Sequence, residues 1–131
     1  MQRVPNAEFP PELQKRLEEL WGTPPNLYRA LANHAPLAAA WTEFSRAIRH
    51  ESRTPRRLRE LVILRGAQLM RAEYEWAQHL QMARKAGVRE AQIAALAQWR
   101  DSGEFDAREK AALLLAEAVT RADVADEVYA V

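Results

Sequence analysis

No stretch of this 131-residue chain alternates apolar and polar side chains as a half-buried strand must. Its apolar residues return every three or four positions instead. Leu13, Leu17, Leu20 and Trp21 make one such stripe; Leu37, Ala40, Trp41, Phe44, Ala47 and Ile48 make another. The spacing predicts an all-α fold, punctuated by proline and glycine. Val4-Pro5 and Phe9-Pro10-Pro11 disfavour helix, so residues 1–9 read as an extended arm. One helix fits Pro11 to Trp21, with Gly22 as its stop, and a short second one fits Asn26 to Asn33. Pro36 opens a third. Thr54 offers a capping hydroxyl with Pro55 at the first helical position, and helical pattern then runs to Gly87. Val88 to Trp99 makes a further helix, and Asp106 caps another from Ala107 to about Arg121. A last one starts at Asp123 and is cut off at Val131. No linker divides the chain, so residues 1–131 read as a single domain.

The apolar fraction of 48% and charged fraction of 28% are those of a soluble globular protein. There is no apolar run of membrane-spanning length and no signal peptide at the start, which makes the cytoplasm the expected compartment. A net charge of +1 gives no reason to invoke nucleic acid. Arg53, Arg56, Arg57 and Arg59 cluster at a helix start without interleaved aromatics, and mark either an anion-facing patch or, as such clusters more often do, a solvated face or an interchain contact. With no cysteine there is no disulfide, thiol nucleophile or zinc–thiolate site.

Chemistry concentrates between residues 60 and 79. Glu75 and His79 are four apart, so on a helix they share a face. A carboxylate beside an imidazole fixes its tautomer, which suits proton transfer near neutral pH. The same spacing also describes an ordinary surface pair. Glu60 lies beside Leu61-Val62-Ile63-Leu64, and a buried carboxylate must be paired or protonated. It is either a relay partner of His79 or half of a structural salt bridge. Arg65, inside the same apolar run, either binds a substrate carboxylate or neutralises a buried glutamate. Tyr74 and Trp76 either line a pocket for a small ring or pack as core. Glu75 and His79 are too few for a metal site, and no third ligand is indicated.

The run Arg56-Arg57-Leu58-Arg59-Glu60-Leu61-Val62-Ile63-Leu64, then Glu73-Tyr74-Glu75-Trp76, His79, Ala83, Gly87, Ile93, Ala94 and Leu96, resembles the carboxymuconolactone decarboxylase family. That family shares its fold with alkyl hydroperoxidase D. The resemblance implies an oligomerising all-helical bundle, commonly a trimer or hexamer. In the peroxidase branch a glutamate precedes a pair of cysteines and a histidine follows. Here these positions fall on Glu60, on Ala72 and Glu75, and on His79. The proton-relay partners are present and the dithiol is absent, so this chain resembles the cysteine-free branch, and thiol peroxidase activity is disfavoured. Final helices seen in longer relatives are missing beyond Val131.

One continuous helix would hold Glu60 and His79 about 28 Å apart. The resemblance implies a break near Met70–Ala72 that folds the second helix back. The functional expectation is a cofactor-free lyase acting on a small carboxylated or lactone-type metabolite. His79 moves the proton, Glu75 or Glu60 tunes it, and Arg65 holds the substrate. The alternative is a non-catalytic oligomeric module of the same fold. Two features favour self-association: the Ala111–Ala118 helix is apolar on more than one stripe, and Val124, Val128, Tyr129 and Val131 leave an amphipathic stub.

Overall fold

A computed structural model describes residues 4–123. Every regular element among them is helical: α1 (Pro11–Trp21), α2 (Asn26–Leu31), α3 (Ala35–His50), α4 (Arg56–Met70), α5 (Glu73–Lys85), α6 (Glu90–Ala95) and α7 (Ala107–Arg121). Short 3-10 turns cover Ala32–His34 and Leu96–Gln98. The chain divides into two compact units, Met1–Ser52 and Arg53–Val131.

In the first unit residues 4–9 form no regular element, as their prolines require. The arm is nevertheless pinned. The Ala7 N–H donates to the Arg29 carbonyl at 3.0 Å, and the Arg29 guanidinium lies over the Phe9 ring. α1 ends where Gly22, at φ 67°, turns its N–H back to the Glu18 carbonyl, a left-handed backbone that glycine adopts without Cβ strain. Leu13, Leu17, Tyr28 and Ala38 form the core, with Phe9, Trp21 and Leu31 packed against it. α2 stops at Leu31, earlier than expected, because the chain tightens into the 3-10 turn. His34 has a use: its Nδ1 accepts the Leu37 N–H and caps α3.

α3 does not bury its large side chains. Leu37, Trp41, Phe44 and Ile48 are all exposed, Phe44 by 58%. The buried residues are Ala38, Thr42 and Ser45. The two hydroxyls cost little inside, since Thr42 donates to the Ala38 carbonyl at 2.7 Å and Ser45 to that of Thr42 at 3.1 Å.

The second unit is built on α4. Its first helical residue is Arg56, and Pro55, not Thr54, occupies the cap, where it supplies no side-chain acceptor. Leu61, Leu64, Ala83, Val88, Leu96, Trp99, Phe105 and Leu113 make the core. α4 ends at Arg71, which takes a left-handed conformation at φ 53°. The Ala72 N–H then reaches back to the Ala67 carbonyl at 2.9 Å and that of Arg71 to Gln68 at 3.3 Å. This closes the helix and reverses the chain into α5. α7 begins with a reciprocal cap: Asp106 accepts the Glu109 N–H at 2.8 Å, and Glu109 accepts the Asp106 N–H at 3.0 Å.

Cover for α7 is partial. Leu113, Ala116 and Ala118 are buried, whereas Leu115 and Val119 are exposed. Together with Leu58, Val62 and Ile63 of α4 they line an open apolar groove of about 510 Å³. The helix expected from Asp123, with Val124, Val128, Tyr129 and Val131, falls outside the described residues apart from Asp123 itself. Among the described residues no helix is long and apolar enough to cross a membrane.

Candidate functional site

The reversal at Arg71–Ala72 lays α5 along α4 and closes the distance that a straight helix would keep open. Glu60 and His79, nineteen residues apart in sequence, meet within one chain: His79 Nδ1 lies 2.8 Å from Glu60 Oε2. Glu60 is 1% exposed, so its carboxylate has no water to lean on and must be satisfied by protein. It is. Arg56, one turn back on α4, donates Nε–H to Glu60 Oε1 at 2.5 Å.

This sharing decides the protonation pattern. The Arg56 guanidinium can only donate, and the carboxylate oxygens that it and His79 share are acceptors. The imidazole must then present an N–H to Oε2, which places the ring proton on Nδ1. In the neutral ring Nε2 carries the lone pair. Nε2 points away from Glu60 and lies 3.5 Å from Oε2 of Glu75, whose side chain is largely exposed. That contact is too long for a strong hydrogen bond but close enough for a charge to be felt. The four-residue spacing of Glu75 and His79 is realised, yet the tight partner of the imidazole is Glu60.

The remaining candidates separate. Arg65 is buried and is taken up elsewhere: its Nε and Nη2 lie 2.7 and 2.5 Å from Glu117 Oε1, and Nη1 donates to Gln68. Five residues along α4 from Glu60 is about 140° around the helix, so Arg65 faces away from His79. The structure thus gives Arg65 the neutralising role rather than the substrate-holding one. Glu117 also accepts from Trp99 Nε1 at 2.8 Å and from Arg100 at 2.6 Å. Burial pushes its carboxyl up, but the hydrogen bonds from Arg100, Trp99 and Arg65 outweigh this and hold it at about 2. Tyr74 stands in solvent, 69% exposed. Trp76 packs against the core and helps line a small cavity of about 200 Å³ in the elbow, with Ala67, Gln68, Arg71, Ala72 and Glu73.

One participant escaped the sequence reading. The arginine cluster reads as an anion-facing patch, a solvated face or an interchain contact, and none of these names Glu60 as the partner of Arg56, although their four-residue spacing is there to be read. Arg57, in the same cluster, pairs with buried Glu109 and donates to Gln92 and to the Gly87 carbonyl. Among the described residues no group of three or more histidine, cysteine, aspartate or glutamate side chains is arranged to hold a metal ion.

A family model described as the carboxymuconolactone decarboxylase family matches residues 35–118, a span that contains Glu60, Glu75 and His79. No curated protein and no solved structure matches the chain.

Proposed function

Because the chain belongs to the carboxymuconolactone decarboxylase family, we propose that His79 is the proton-transfer residue of a cofactor-free lyase acting on a small carboxylated or lactone-type metabolite. The observation that carries this reading is the division of Glu60 between Arg56 and His79 Nδ1. It orients the ring, fixes its tautomer and leaves Nε2 as the working atom. Loss of CO₂ breaks a carbon–carbon bond and leaves the electron pair on carbon. A proton from the Nε2–H of the imidazolium completes the product, and Glu60 stabilises the charged ring until then. Glu75 stands where it can return a proton from solvent to Nε2. With no cysteine in the chain, dithiol peroxide reduction has no nucleophile.

The test is a panel of small carboxylated lactones in D₂O, read by CO₂ release and by NMR of the His79 ring. A substrate is expected to shift the ring signals and to gain one deuterium at the carbon that lost CO₂. A panel that moves neither observable sinks the lyase reading.

The second reading is a non-catalytic assembly module. It is favoured by the sealing of Glu60 and by the exposed Leu37, Trp41, Phe44 and Ile48. Both readings include self-association as a trimer or hexamer, supported by that stripe and by the open groove between α4 and α7. Light scattering at micromolar concentration is expected to give a mass several times that of one chain. A monomer there would remove the assembly.

A further inference from the structure

Arg56 is not used up by Glu60. A guanidinium has five N–H donors, and here Nε–H alone goes to the carboxylate. Nη2 has only the thioether of Met82 at 3.5 Å, a weak acceptor, and among the described residues Nη1 has no hydrogen-bond partner. The side chain is 41% exposed. Arg56 and His79 are held by the two oxygens of the same carboxylate, so they stand side by side. Met82 lies on α5 three residues beyond His79, so the spare donors of Arg56 lie against the helix that carries the imidazole. A planar fork with unspent donors beside a reactive imidazole is what a small carboxylate needs.

We infer that Arg56 anchors the anionic end of the molecule that His79 acts on, and so selects acids over their neutral analogues. The inference rests on the proton-transfer reading only for what happens after binding. Three other ionisable groups face this spot: Glu60, already neutralised by Arg56, His79 itself, and the exposed Glu75 near Nε2. The charge of Glu75 opposes an incoming anion, so Glu75 and Arg56 should influence binding with opposite signs.

The experiment uses benzoate as probe and benzamide as its neutral counterpart, with dissociation constants from NMR titration of the full chain. Benzoate is expected to give saturable shifts at the Arg56 Nε–H and the His79 ring, and benzamide is not. Arg56→Gln should weaken benzoate binding about tenfold, Arg56→Lys less, and Glu75→Gln should tighten it severalfold. Benzoate that fails to bind, that binds Arg56→Gln as well as the parent, or that is matched by benzamide overturns the inference. Benzoate bound through Arg56 with no acid or lactone turned over leaves the anchor standing and removes the lyase reading.

Discussion

His79→Ala is expected to lower kcat/KM for a confirmed substrate by about 10²- to 10⁴-fold, the usual worth of a positioned general acid or base. Glu60→Gln should cost nearly as much with the imidazole still in place. Arg56 can only donate, so the glutamine must turn its carbonyl oxygen toward Arg56. Its NH₂ group then faces His79. Nδ1 is forced to accept, the ring proton moves to Nε2, and the lone pair leaves the working atom. Nitrogen chemical shifts of the ring would report this change of tautomer directly, and kcat/KM would report its consequence. Substrate turnover in His79→Ala within about threefold of the parent would remove His79 from the mechanism.

The largest stability effect is expected at Glu117. Its carboxylate is 2% exposed and is the partner of buried Arg65, of the Trp99 indole and of Arg100. Arg100 can turn to solvent when the carboxylate is removed, but Arg65 cannot. Glu117→Ala therefore strands a cation and should cost about 3–5 kcal/mol at pH 7. A domain of this size has roughly 5–15 kcal/mol in all. The pH dependence follows from the folded carboxyl at about 2 against roughly 4.3 in the unfolded chain. A depressed carboxyl contributes its stabilisation in full above the unfolded value and loses it as pH falls through the folded one. The contribution is on the order of 3 kcal/mol, present above about pH 5 and gone near pH 2. Urea unfolding at pH 7 and pH 3 should show the gap between parent and variant narrowing in acid. A gap under about 1 kcal/mol at pH 7 would mean that Arg65 finds another partner.

The bounds of α1 were legible because Pro11 and Gly22 mark both ends with residues that have few alternatives. The cap of α7 was legible for the same kind of reason: Asp106 is a short acceptor placed before an apolar run. The start of α4 came out one residue off, since proline suits both the cap and the first turn. The break between α4 and α5 is invisible to residue type, because Arg71 adopts the left-handed turn that glycine usually signals. The resemblance, not the periodicity, located it, and the meeting of Glu60 with His79 depends on it. The partner of Arg65 was unreadable for another reason: Glu117 lies 52 residues away, and nothing local points to it. In α3 the three- and four-residue spacing identified a stripe correctly but not which way it faces. Periodicity reports that a face is apolar; it does not report what covers that face.

The elbow at Arg71–Ala72 has a consequence for which changes this chain can tolerate. Glu60 and His79 stand on opposite sides of it, so its length sets the rotational phase of α5 against α4. One residue inserted or deleted between Arg71 and Glu73 would turn α5 by about 100°. The imidazole would leave the carboxylate, and Gln78 or Leu80 would take its place, while each helix remained as good a helix as before. The length of the elbow is therefore fixed more tightly than its composition, which is restricted mainly at Arg71, where the left-handed backbone excludes proline and disfavours β-branched residues.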